Sequence, residues 1–104
     1  MGEIESSAFE AAASRLRAEP DVESGTGFGS NPGLRSRGKV FAILIEDQLV
    51  VKLPAERCSA LVDAGEASAF EIGTRRMREW ARVPLGDAVD WSALMAEARA
   101  YVLG

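Results

Sequence analysis

Histidine is absent from the 104-residue sequence, and cysteine occurs once, at Cys58. Histidine is the commonest base that activates a serine or cysteine nucleophile, so the usual nucleophilic constellations lack their proton acceptor. One cysteine without histidine cannot assemble a zinc site. The acid pairs Asp21/Glu23 and Glu46/Asp47 lack the loop spacing that calcium requires and read as solvated turn charges. No two carboxylates stand in a context that points to glycoside chemistry. Cys58 falls on the apolar stripe of a predicted helix beside Arg57, which favours a buried thiol over a reactive one. The expectation is a protein with no catalytic residues, no metal and no cofactor.

Two glycine-rich segments invite a phosphate reading and fail on context. Gly33-Leu34-Arg35-Ser36-Arg37-Gly38-Lys39 matches the first seven positions of a P-loop, but Val40 stands where a serine or threonine should hold magnesium. A P-loop opens a helix whose N-terminal amides cradle phosphate, whereas Lys39 opens the strongest predicted strand. Gly38 is therefore expected to be the glycine of a hairpin turn. Gly25-Thr26-Gly27-Phe28-Gly29 lacks the full dinucleotide fingerprint and the strand-turn-helix around it, so close backbone packing or a bulged strand is expected there.

The remaining constellation is cationic. Arg75, Arg76, Arg78 and Arg82 lie close together around Trp80, and Arg35, Arg37 and Lys39 form a second short run. If the sheet joins the two runs, they make an arginine-plus-aromatic patch able to bind phosphate, nucleic acid or an acidic protein. The competing expectation is local neutralisation by Glu46, Asp47, Glu71 and Glu79. Trp80 and Trp91 read as packing residues. The net charge of −4 leans against a dedicated nucleic-acid binder, whose affinity comes from neutralising phosphates.

The elements that must position these groups follow from periodicity. Ser7 and Glu10 have capping-box spacing, and Phe9, Ala12, Ala13 and Leu16 continue as an amphipathic helix with Arg15 and Arg17 near its end and Pro20 as its stop. One or two short strands are expected between Asp21 and Gly38. The apolar run Val40 to Ile45, a turn at Glu46-Asp47-Gln48 and the return Leu49 to Leu53 predict an antiparallel hairpin at the centre of the sheet, covered on both faces. Pro54 suits the first position of a second helix, with Cys58, Leu61 and Val62 on one face and Gly65 as its stop. Residues 67–73 read as irregular, anchored by Phe70 and Ile72. Met77 to Val83 alternates as a strand, with Met77, Glu79, Ala81 and Val83 on one side and Arg78, Trp80 and Arg82 on the other. Residues 84–88 read as a loop. Asp90 is placed to cap a last helix with Trp91, Leu94, Met95, Ala98, Tyr101 and Val102 on its stripe. Helix, meander, helix, strand, helix predicts an α+β domain with an antiparallel sheet packed on helices at one face.

Length and composition bound the rest. A chain of 104 residues with 47% hydrophobic content is one domain, 1–104, large enough to bury a core unaided. Acids at Glu3 and Glu5 replace the positive start of a signal peptide, and the longest apolar run is too short to span a bilayer. A soluble, cytoplasmic protein with no membrane partner is expected, and the excess of arginine over lysine suggests a GC-rich bacterial source.

The ordered series Gly27-Phe28-Gly29, Gly33-Leu34, Gly38-Lys39-Val40-Phe41-Ala42, Leu49-Val50-Val51-Lys52-Leu53-Pro54 and Met77-Arg78-Glu79-Trp80, closed by the Trp91 to Tyr101 helix, resembles the TfoX N-terminal-like proteins (TfoX/Sxy, MmcQ/YjbR-like) over about residues 9 to 103. The family often carries Met-Phe-Gly where this chain has Gly27-Phe28-Gly29. The resemblance implies a curved antiparallel sheet shared with YjbR-like and secretion-chaperone-like domains. Longer TfoX/Sxy proteins regulate competence genes and add a C-terminal helical domain; this sequence ends at Gly104, so that role is not carried over. The leading functional expectation is a non-enzymatic regulatory or protein-interaction module acting through the sheet or the arginine-rich segment. Nucleic-acid binding through that patch, as the naming of YjbR-like relatives implies, is the second. A small-ligand site at the glycine-rich loop is the third. Self-association, through a free sheet edge or an exposed Trp80, is compatible with the first.

Overall fold

A computed structural model describes residues 2–27, 29–86 and 89–104. Phe28 of the glycine-rich step, and Asp87 and Ala88 of the expected loop, lie outside the described residues. The chain runs α1 (Glu3–Arg17), β1 (Val22–Gly27), β2 (Asn31–Ser36), β3 (Lys39–Ile45), β4 (Gln48–Lys52), α2 (Ala55–Asp63), β5 (Ser68–Ile72), β6 (Arg75–Val83), α3 (Trp91–Leu103). The strands form one antiparallel sheet in the order β1-β2-β3-β4-β6-β5. The class is α+β, as expected, and β3 and β4 hold the centre.

The turns explain why the meander closes. Arg37 and Gly38 both take positive φ (51° and 82°) between β2 and β3. Glu46 and Asp47 do the same (50° and 64°) between β3 and β4. Two successive positive-φ residues give the turn whose twist matches the flanking strands. Gly38 is thus a hairpin glycine, and Lys39 begins β3. In β2, a Cβ on Gly33 would sit 2.9 Å from the Ala42 carbonyl oxygen, so glycine lets β2 lie tightly on β3. A bulge follows between Leu34 and Arg35 and turns Phe41 to the same side as Ala42.

The three helices share one face of the sheet. Their Phe9, Ala13, Cys58, Leu61, Trp91 and Leu94 form one cluster with Leu34, Phe41, Leu44, Leu49, Val51 and Val83 from the strands. The opposite face carries a second, strand-only cluster of Ile43, Val50, Phe70 and Trp80. The run Phe41 to Leu44 is buried throughout because Phe41, Ala42 and Leu44 enter the helix-side cluster and Ile43 enters the strand-only one.

Several local expectations change. The first helix begins at Glu3 behind Gly2, with Glu3 and Glu5 in its first turn, so Ser7 and Glu10 lie inside it and form no capping box. Pro54 is the N-cap of α2 rather than its first helical residue. That helix stops as expected at Gly65 (φ 76°), where the amides of Gly65 and Glu66 donate to the carbonyls of Val62 and Leu61. Residues 68–72 are a strand rather than irregular, and Ile72 is exposed while Phe70 is buried. Met77 joins the Trp80 cluster instead of the Ala81 side, because the β5–β6 register shifts between Ala69 and Phe70. Asp90 caps α3 by accepting from the Ser92 amide at 2.9 Å. Among the described residues no helix is long and apolar enough to cross a membrane.

Candidate interaction surface

The sheet separates the two cationic runs. Arg35 lies on β2 and Arg37 in the turn after it, while Arg75, Arg76, Arg78, Trp80 and Arg82 lie on β6. With β3 and β4 between them, β2 and β6 are roughly 14 Å apart at ordinary strand spacing. Arg35, Arg37, Arg75, Arg76, Arg78 and Arg82 therefore do not converge on one point around Trp80.

Each member has its own circumstances. Arg35 Nη2 donates to the Thr26 carbonyl at 2.9 Å, its Nε is buried without a partner, and its side chain lies where a Cβ on Gly25 would stand. Arg37 is exposed. Arg82 donates to Glu46 at 2.7 Å and also to Gln48, which ties β6 to the β3–β4 turn. Trp80 is buried, and the Lys52 ammonium sits 5.6 Å from its ring centroid, a cation–π contact between cross-strand neighbours. Both tryptophans pack as expected, with Trp91 donating to the Pro84 carbonyl at 3.4 Å.

The β5–β6 hairpin is different. Arg75, Arg76 and Arg78 are exposed and make no hydrogen bond or ion pair among the described residues. Glu71 faces Arg76 in register without bridging it, and Glu79 instead accepts from Tyr101 at 3.1 Å and approaches Lys52 at 3.9 Å. Four other arginines are matched to carboxylates: Arg17 to Glu10, Arg57 to Glu97 at 3.0 Å, Arg82 to Glu46 and Arg99 to Asp21 at 2.5 Å. Arg15 and Arg37 stand singly, exposed and without such a partner among the described residues. Local neutralisation thus reaches Arg82 and stops short of the hairpin tip.

Charge is also divided by layer. The strands hold Arg35, Lys39, Lys52, Arg75, Arg76, Arg78 and Arg82 against Glu23, Glu71 and Glu79. The helices hold Glu3, Glu5, Glu10, Glu56, Asp63 and Glu97 against Arg15, Arg17, Arg57 and Arg99. An acidic chain thereby presents a basic sheet, which net charge alone conceals.

Beside the hairpin, α2 and β6 enclose a cleft of ≈ 580 Å³ that includes Glu56, Asp63, Arg76, Met77, Arg78 and Trp80. Cys58 lines its floor, 4% exposed, and burial pushes its thiol pKa upward, which suits packing rather than nucleophilic attack. Neither this cleft nor a smaller one of ≈ 330 Å³ near Trp91 is lined by the glycine-rich segment. Periodicity did not signal the cleft, because its acids belong to α2 and its bases to β6. The edges of the sheet are β1 and β5.

No protein-family model matches the chain, and no curated protein matches it.

Proposed function

We propose that the chain is a non-enzymatic regulatory or protein-interaction module that holds an acidic protein partner on the β5–β6 hairpin. One observation carries this reading: Arg75, Arg76 and Arg78 are exposed and unmatched among the described residues, whereas four other arginines already hold carboxylates. A guanidinium presents a planar fork of donors that suits a partner's carboxylates, and pairing there needs no internal bond to break. We read the chain as a TfoX N-terminal-like domain of the MmcQ/YjbR kind, working in a bacterial cytoplasm, on the resemblance of its residue series; its α+β class with one antiparallel sheet is compatible with that reading.

Affinity capture from the native host tests this, with one sample treated with nuclease. Wild-type protein is expected to retain a protein partner that survives nuclease, and the R75E/R76E/R78E variant to lose it. Identical partners on both baits would remove the hairpin as the contact. Partners lost on nuclease treatment would move the same arginines to nucleic acid, where binding falls steeply with salt.

A further inference from the structure

The cleft between α2 and β6 has walls of opposite charge. Glu56 and Asp63 stand on the helix side, and Arg76 and Arg78 on the strand side. None of the four makes a hydrogen bond or ion pair among the described residues, so the cleft keeps its acids and bases apart. Val62 of α2 and Ala69 of β5 also line the cleft and give it apolar surface beside the charged walls. The volume of ≈ 580 Å³ falls within the range of about 300–1,000 Å³ usual for small-molecule sites. Glu56 and Asp63 are seven residues apart on α2, which separates them by roughly 10 Å along the helix. A ligand lying across the cleft thus meets an anionic wall on one side and a cationic wall on the other.

We propose that this cleft binds a small zwitterion, a dipeptide with an apolar side chain. Its ammonium faces Glu56 and Asp63, its carboxylate faces Arg76 and Arg78, and its side chain lies on Val62 and Ala69. The complementarity is specific to having both charges. A simple anion leaves the acidic wall unmatched and is repelled by it, and a simple cation meets the converse problem. This site goes beyond the acidic-partner surface, and the two are separable by residue. Glu56 and Asp63 belong to the cleft and not to the cationic hairpin tip, while Arg75 belongs to the tip and does not line the cleft.

The test is amide chemical-shift titration of the 104-residue chain with dialanine, leucyl-leucine and phenylalanyl-alanine, each also as its N-acetyl and its C-amide form. At least one free dipeptide is expected to shift amides in residues 55–63 and 75–80. Blocking either terminus should weaken that binding about tenfold or more, since each removes a charge-assisted bond. The E56Q/D63N and R76Q/R78Q variants, all at exposed positions, should lose it to the same degree while R75E retains it. No shifts at millimolar dipeptide, shifts confined to other residues, or equal binding of the blocked forms would each overturn the proposal. Partner capture by E56Q/D63N reads the hairpin surface independently, so either reading can fail without the other.

Discussion

The two faces of the sheet solve the same burial problem by different means. On one face, helices α1, α2 and α3 cover Leu34, Phe41, Leu49 and Val51 with apolar side chains. On the other, Ile43 and Val50 are equally inaccessible, yet no helix lies over them among the described residues. Their cover is made by strand residues: Phe70 and Trp80, the half-buried Val40, Ile45 and Met77, and the stems of Lys52 and Arg82 beside them in register. Long basic side chains can lie along apolar surface while their charged ends stay in water. The helix-free face therefore gains a thin core and a cationic rim from the same residues. This links packing to function, because covering β3 from the strand side is part of what makes the sheet basic.

The difference should appear first in the cost of equal deletions. Leu49 and Ile43 are both fully buried, one on each face. Truncation of such a residue to alanine costs about 2–5 kcal/mol, depending on how far the site can collapse. Leu49→Ala is expected near the upper end, since the helices and sheet around it are mutually braced. Ile43→Ala is expected near the lower end, because the residues above it can settle without moving a helix. Urea denaturation of the two variants measures both, and equal losses would show that the helix-free face is packed as rigidly as the other.

A smaller effect should separate two glycines beneath the same face. A Cβ on Gly33 meets the Ala42 backbone at 2.9 Å, and one on Gly25 meets Arg35 Nε at 2.8 Å. Backbone cannot step aside without opening the β2–β3 pairing, so Gly33→Ala is expected to cost about 1–3 kcal/mol. The Arg35 side chain can swing away, so Gly25→Ala is expected to stay within about 0.5 kcal/mol. Thermal melts of both variants make the comparison, and a tolerated Gly33→Ala would mean that the β2–β3 contact has slack.

Legibility in the sequence followed how local each cause was. The run Val40 to Ile45, the turn at Glu46-Asp47, the glycine at Gly38 and the Asp90 cap are set by near neighbours, and each sits where its chemistry placed it. β5 escaped because an edge strand buries little: within Ser68–Ile72 only Phe70 is inaccessible, so no alternation marks it. Met77 lies on the side that strict alternation does not predict, because a register shift leaves no mark in the alternation. The arginines of β6 stood out by composition, but their lack of partners depends on where Glu71 and Glu79 point. The acids of the cleft looked like ordinary helix charges until β6 was placed opposite them.

A further stability effect, smaller than either core truncation, concerns the polar clasp that fastens the helix-covered face. Arg99 of α3 donates to both carboxylate oxygens of Asp21, at 2.9 and 2.5 Å, and the buried Ser36 hydroxyl donates to the same carboxylate at 2.7 Å. The clasp joins residues 78 apart in sequence, so it ties the last helix to the start of β1 and the end of β2. The hydrogen bond from Arg99, then that from Ser36, holds the Asp21 carboxyl well below the usual aspartate range. A carboxyl with a depressed folded-state pKa stabilises the fold fully above its unfolded pKa, about 4, and that contribution fades as pH falls through the folded value. Asp21→Asn should therefore lower Tm at pH 7 by less than either core truncation. The gap from wild type should narrow as the pH is taken below about 4. Arg99→Gln should mimic it, since it releases the same carboxylate. A gap that stays constant from neutral to acid pH would show that the clasp works by shape and hydrogen-bond count rather than by charge. The contrast with the hairpin would then rest on Arg17, Arg57 and Arg82 alone, because Arg99 would no longer be an arginine whose charge is used internally.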